Sequence, residues 1–199
     1  SGGPFLKKPI HEFDSITPNE ALNHPNWDMG AKISIDSATM MNKALELIEA
    51  LCLFNIELDK IQITIHPQSI VHSMVEFVDG SYKAHLGLPD MKVPIQYALT
   101  FPNRTNSSVG SLDFENLNLD FRKPDLERYP ILSLVEELIN LGGNRVAVMS
   151  MANDYIVERF LDRKISFNEI FYLIQEVVNE FASDDLPSLE ELFILDKNI

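Results

Sequence analysis

The sequence predicts an α+β protein: a small, mostly antiparallel or mixed sheet with flanking helices, followed by a C-terminal α-helical bundle. Three observations lead there. Strand-like alternation and a hairpin signal at Asp79-Gly80 are confined to the first half of the chain. From Tyr129-Pro130 onward the apolar residues recur only at helical spacing. The 199 residues, 45% hydrophobic with 8 Gly and 11 Pro, suffice for one or two compact domains with a real core.

Composition narrows the function. The net charge of −14 argues against nucleic acid as a partner, because neutralising phosphates needs a basic face. It also means that an anionic ligand needs a local cluster of donors. No apolar run reaches about 18 residues, so no membrane helix is expected. The opening Ser1-Gly2-Gly3-Pro4-Phe5 lacks the pattern of a signal peptide. It does not begin with Met, which predicts an excerpt of a longer protein. The single cysteine, Cys52, excludes an internal disulfide and favours a reducing compartment. Set among Leu51, Leu53 and Phe54, it reads as a buried small hydrophobe.

Along the chain, Ser1-Gly2-Gly3 reads either as a plain loop or as a turn that brings backbone N–H groups to an anion. Thr17-Pro18-Asn19-Glu20 opens a short helix, with Thr as N-cap, Pro at the first position and Glu in capping-box register. Residues 24–30 form an aperiodic loop; Trp27 and Met29 either close over a ligand as a lid or pack down on the surface. Ala31 to Asp36 alternates and reads as a short strand. A helix then runs from about Ser37 to Leu53, capped by Asp36 or Ser37, with Met40, Ala44, Leu47, Ile48 and Leu51 on its core face. Asn42, Lys43 and Glu46 share another face, which by spacing alone is a solvated stripe with a Lys43–Glu46 pair.

Lys60 to Ile65 alternates as a strand, His66-Pro67-Gln68-Ser69 turns, and Ile70–Val78 and Ser81–Leu86 form the hairpin. His66 and His72 lie close in sequence, but no cysteine or helical His-x-x-x-His pair accompanies them, so zinc is not expected. Pro89-Asp90-Met91 opens a short helix to about Leu99, and residues 101–129 read as a connector. Helices are then expected near 130–141, 144–162, 166–182 and 188 to the end, with Leu141-Gly142-Gly143 as a C-cap and Ser166 and Ser188 as N-caps. The last has no stop signal and reads as cut.

The segment Met29-Gly30 with Lys32-Ile33-Ser34-Ile35-Asp36-Ser37-Ala38-Thr39-Met40-Met41-Asn42-Lys43 closely resembles the 1-deoxy-D-xylulose 5-phosphate reductoisomerases. Further matches occur in the family's order: Ser1 to Phe5, His24-Pro25-Asn26-Trp27, Ile65 to Ser69, His72-Ser73-Met74-Val75, Leu86-Gly87, Pro89-Asp90-Met91 and Phe101-Pro102-Asn103-Arg104. Weaker ones follow at Leu112-Asp113-Phe114, Tyr129-Pro130, Ala152-Asn153 and Phe160-Leu161, so the resemblance spans essentially the whole chain.

That resemblance implies a metal-assisted rearrangement of 1-deoxy-D-xylulose 5-phosphate and reduction by NADPH to 2-C-methyl-D-erythritol 4-phosphate, in non-mevalonate isoprenoid biosynthesis. It implies Mg²⁺, Mn²⁺ or Co²⁺, a homodimer, no membrane partner, and a bacterial cytoplasm or a plastid-type organelle. By the resemblance, residues 1–105 are a catalytic domain, 106–128 a connector, and 129–199 a helical domain, truncated at its end. Ser1, His24, Ser37, Asn42 and Lys43 match substrate-binding positions, largely for the phosphate, with Glu46 a metal ligand that also meets substrate. Glu46, Lys43 and His24 are the implied catalytic residues. Trp27 matches the closing loop against substrate, Ser69 and His72 line the pocket, and Gly30, Met29 and Met91 match cofactor-contacting positions. The family's Asp-Ser-Glu motif, source of the other metal-binding carboxylates, is expected upstream of Ser1, and no Gly-x-Gly-x-x-Gly occurs. The alternative is a non-catalytic fragment that binds phosphate and dimerises.

Overall fold

The computed structural model describes residues 2–27 and 29–199; Ser1, expected at the substrate, lies outside them, as does Asp28. The described residues divide into two compact units interleaved along the chain. The smaller comprises residues 26–27 and 64–123, the larger residues 2–25, 29–63 and 124–199. Among the described residues, one two-stranded antiparallel sheet accompanies the helices, an α+β fold as expected. None of these helices is long and apolar enough to cross a membrane.

In the smaller unit, β1 (Val71–Glu76) pairs with β2 (Tyr82–Leu86). The Asp79-Gly80 signal holds: Gly80 takes φ 79°, and Asp79 Oδ1 accepts from both the Ser81 N–H and its hydroxyl. The register shifts between Val71 and Ser73, so His72 sits at a bulge. Such an irregularity re-aims a side chain out of the regular alternation. A helix, α4 (Lys92–Thr100), follows where expected, its start held by Asp90 Oδ1 accepting the Lys92 N–H.

Alternation at 60–65 does not produce a strand. Leu58–Lys60 is a 3₁₀ turn whose end the Ile61 N–H closes onto the Leu58 carbonyl, and of residues 61–65 only Ile65 pairs with another segment, through a two-bond bridge to Arg122. Alternation makes a strand only where a neighbour accepts the backbone bonds.

In the larger unit, α1 (Pro18–Leu22) begins with the capping box that the sequence announces: the Thr17 N–H reaches Glu20 at 2.8 Å and the Glu20 N–H returns to the Thr17 hydroxyl at 3.3 Å. The expected strand at 31–36 is instead the start of a helix, α2 (Ala31–Thr39), with Gly30 as N-cap. Its buried residues Ser34, Ile35 and Ala38 lie at helical spacing, and the Ser34 and Thr39 hydroxyls are absorbed by the helix's own carbonyls at Gly30 and Ile35. The six-residue alternation was too short to outweigh that face.

The helix expected from 37 to 53 therefore begins later, as α3 (Met41–Phe54), after a break at Met40. Neither Asp36 nor Ser37 caps it; the Thr39 hydroxyl accepts the Met41 N–H at 3.2 Å. Ala44 and Leu47 are buried as expected, with Met41, whereas Ile48 and Leu51 are half-buried. Cys52 is exposed rather than buried, because it lies in the last turn of α3, where Leu53 and Phe54 are left uncovered as well.

The C-terminal helices fall where the periodicity puts them: α5 (Pro130–Leu141), α6 (Arg145–Leu161), α7 (Phe167–Phe181) and α8 (Leu189–Asp196). In α7 the buried Phe167, Ile170, Ile174 and Val178 form one stripe. Ser166 and Ser188 cap as expected, their N–H groups donating to Glu169 and Glu191. Phe5, Phe13 and Phe160 surround Phe167 edge-on, with ring centroids 5.4–5.8 Å away.

The turn after α5 needs both glycines, for different reasons. Gly142 and Gly143 both have positive φ, 71° and 67°. A Cβ on Gly142 would meet open space, whereas one on Gly143 would lie 1.9 Å from the Ser183 carbonyl oxygen. Gly142→Ala and Gly143→Ala thus both carry a backbone cost of order 1–3 kcal/mol, and only the second adds a collision. Urea denaturation should show Gly143→Ala as clearly the less stable of the two.

Candidate functional site

The most concentrated group of predicted site residues in the larger unit sits at the joint between α2 and α3. Met40 occupies the left-handed region at φ 66° and is 3% exposed. A methionine there costs of order 1–3 kcal/mol and persists only where its surroundings enforce it. Thr39 is one such constraint, since its hydroxyl donates to the Ile35 and Asp36 carbonyls while accepting from Met41. The Lys43 and Ala44 N–H groups both bond to the Met40 carbonyl. Those first-turn donors are consumed locally, so an anion at this joint would be met by side chains more than by the helix terminus.

Three of the expected side chains converge just beyond the joint. Asn42 Nδ2 donates to Glu46 Oε1 at 2.7 Å, and Lys43 Nζ lies 2.5 Å from Glu46 Oε2. Both Glu46 oxygens are therefore held by groups that can also serve an oxyanion. The Lys43–Glu46 pair is half-exposed, where such pairs are worth at most about 1 kcal/mol. Opening it frees an ammonium for phosphate and a carboxylate for a cation at little cost. Ser37 is half-buried in the last turn of α2. Gly3 packs against it so closely that a Cβ at Gly3 would fall 2.6 Å from the Ser37 carbonyl oxygen, at φ 71°. His24 is half-buried, and burial lowers its pKa, favouring the neutral ring. Met29 is half-buried; Gly30 is exposed, with nothing near the position of an added Cβ.

Within the smaller unit, Asn26 Nδ2 donates to the Pro67 carbonyl at 2.8 Å and to the Ser69 hydroxyl at 3.2 Å. Ser69 is buried at φ 54°. The Trp27 ring lies 6.1 Å from that of His72, which in turn is 5.6 Å from His85. Burial and then the neighbouring His85 lower the His72 pKa. Met91, just before α4, is exposed. His66 donates Nδ1–H to the Asp120 carbonyl at 2.8 Å, and its buried Nε2 has no partner among the described residues.

Sequence reasoning missed a polar network beneath the joint. Asp36, 3% exposed, accepts from Asn153 Nδ2 at 2.9 Å and pairs with Lys32 at 2.7 Å; Lys32 also reaches Asp154 at 2.9 Å. The i,i+4 spacing of Lys32 and Asp36 was a usable signal, hidden by reading these residues as a strand. Burial pushes the Asp36 carboxyl above the ordinary range, against the pull of Asn153 and Lys32. Burial also opposes the Lys32 charge, but its two carboxylate partners outweigh that and hold its pKa above 10.5.

The donors suit an oxyanion better than a metal. No three His, Cys, Asp or Glu side chains gather to hold a cation among the described residues. Glu46 alone supplies one ligand where Mg²⁺ takes an octahedral shell, so these residues fit a share of a metal site and not a whole one. A cavity of about 270 Å³ in the larger unit, among Phe13, Thr39, Met41, Ile131 and Phe167, is lined by none of the candidate site side chains.

Comparison with known proteins follows the same lines. A family model described as the DXP reductoisomerase C-terminal domain matches residues 86–199, and one for the 1-deoxy-D-xylulose 5-phosphate reductoisomerase C-terminal domain matches residues 1–54. The 1-deoxy-D-xylulose 5-phosphate reductoisomerase of Zymomonas mobilis is 50% identical over 197 residues, covering 98% of this chain and 51% of the relative. That of Chloroherpeton thalassium is 52% identical over 197 residues, with 98% and 51% covered. A crystal structure of DOX-P reductoisomerase in complex with NADPH, fosmidomycin and magnesium superposes with TM-score 0.92 at 44% identity, covering 99% of this chain and 51% of that one. The chain thus spans about half the length of these relatives.

The Lys32 network has a pH signature. A lysine with a raised folded pKa binds its proton more tightly when folded. Its stabilising contribution is complete below pH 10.5 and is lost as pH rises through the higher folded value. Denaturation midpoints should therefore fall above pH 10.5, and Lys32→Met should flatten that fall.

Proposed function

The chain belongs to the 1-deoxy-D-xylulose 5-phosphate reductoisomerase family, and from that premise we propose that the intact protein converts 1-deoxy-D-xylulose 5-phosphate to 2-C-methyl-D-erythritol 4-phosphate. The observation that carries this reading is the meeting of Asn42 and Lys43 on the two oxygens of Glu46. An amide, an ammonium and, on the α2 side of the joint, the Ser37 hydroxyl are all donors, a set that suits a phosphate monoester on an otherwise acidic protein. Residues 1–105 carry the substrate and metal contacts, 106–128 connect, and 129–199 form the helical support.

In this reading Lys43, Asn42, Ser37 and Ser1 hold the phosphate. His24 is kept neutral by burial, so that it donates or accepts a hydrogen bond without adding charge. Arrival of the phosphate draws Lys43 away from Glu46 and leaves the carboxylate to contribute to a metal site. When bound, a divalent cation (Mg²⁺, Mn²⁺ or Co²⁺) polarises the substrate's oxygens, and NADPH supplies the hydride. Within the smaller unit Trp27, Ser69 and His72 serve the substrate and Met91 the cofactor; within the larger unit Met29 and Gly30 serve the cofactor. The homodimer and a location in a bacterial cytoplasm or a plastid-type organelle belong to the same proposal.

A second reading rests on the single carboxylate that this cluster offers: alone, the chain binds phosphate without turning substrate over. Two measurements address both readings. In the intact enzyme, Glu46→Gln should abolish NADPH oxidation with substrate and Mn²⁺ while leaving the circular dichroism spectrum unchanged; near-normal activity at limiting metal would refute the metal role. The 199-residue chain by itself should consume no NADPH under those conditions, and measurable turnover would refute the second reading.

A further inference from the structure

We infer that Asp36, gripped by Asn153 and Lys32, is a positioning residue for the oxyanion-binding side chains Ser37, Asn42 and Lys43. This rests on the reductoisomerase reading above and extends it to residues that touch no ligand.

The argument begins with cost. A carboxylate that is 3% exposed gives up its hydration, and an apolar side chain of similar volume would commonly serve stability as well or better. The burden is visible in the upward displacement of its pKa. The partner is arranged for Asp36 rather than for its own satisfaction. Asn153 is fully buried and donates Nδ2 to Asp36, while its own Oδ1 has no partner among the described residues. A group arranged only for stability would not leave that acceptor orphaned.

What the grip controls is the joint. Asp36 immediately precedes Ser37, and its carbonyl accepts from the Thr39 hydroxyl at 3.3 Å. The same hydroxyl takes the Met41 N–H at 3.2 Å, and Asn42 and Lys43 follow directly. Between them stands Met40, buried in a left-handed conformation that methionine does not favour. A short chain of bonds thus runs from α6, through Asp36, across the strained joint and into the first turn of α3. Loosening its anchored end lets Met40 relax toward a favoured conformation. Ser37, on one side, then shifts relative to Asn42 and Lys43 on the other. Lys32 adds a second tie from its own helix, out to Asp154 on α6.

The test uses the intact enzyme with Asn153→Leu and Asp36→Asn, against Val178→Ala in α7, a buried position remote in the chain from the joint. Displaced phosphate donors weaken substrate and transition-state binding alike, so KM for 1-deoxy-D-xylulose 5-phosphate should rise about ten-fold or more in the first two. KM for NADPH should stay unchanged in both. Val178→Ala should lower Tm without moving either KM. An unchanged substrate KM, or the same rise in Val178→Ala at matched Tm, overturns the inference. So does failure of both joint variants to fold, which would make the network purely structural. Absence of turnover by the unsubstituted enzyme would instead refute the reductoisomerase reading. Affinity for inorganic phosphate then decides the positioning role, with about ten-fold weakening expected in both variants and equal affinity overturning it.

Discussion

Buried backbone carbonyls must find donors, and that constraint shapes the larger unit. Its first residues form only an irregular turn, in which the Lys8 N–H reaches the Phe5 carbonyl at 3.1 Å, and distant side chains complete the set. Tyr129, its hydroxyl kept protonated by burial that pushes its pKa up to about 12, donates to the Gly2 carbonyl across 127 positions of sequence. Arg128, the residue before it, donates to the Phe5 and Lys8 carbonyls. The guanidinium also lies 5.3 Å from the Phe13 ring, next to the aromatic cluster. These bonds seat Gly3 against Ser37 and fix the ground on which the joint between α2 and α3 stands.

The elements legible in the sequence are those whose cause is local. The capping boxes at Thr17, Ser166 and Ser188 need only a residue three positions away. The stripe of α7 repeats over four turns, and the Asp79-Gly80 turn carries its conformation in two residues. Illegible elements depend on something remote. Lys60 to Ile65 alternates without acquiring a partner strand, and Ala31 to Asp36 is helical because its other face is buried. A left-handed methionine leaves no mark in sequence, where glycine or asparagine would have signalled the break.

The candidate site divides the same way. The common face of Asn42, Lys43 and Glu46 follows from spacing, and the identities of the residues suggested their chemistry through resemblance. The network beneath could not be read. Asp36 looked like a helix cap, yet its partner Asn153 is 117 positions away and becomes a neighbour only after α6 packs on α2. Global charge was an unhelpful guide too. At −14 the protein should repel anions, but within a Debye length of about 8 Å a few paired donors can dominate the potential.

Cys52 gives the molecule a spectroscopic address. It is the sole thiol of the chain and it is exposed, so a maleimide dye or a nitroxide would attach at one place. It rides on the same rigid helix as Glu46, about 9 Å further along the axis at 1.5 Å per residue. A label there reports directly on the tilt of α3, without a cysteine being introduced or removed, and so gives an optical handle on the joint at Met40.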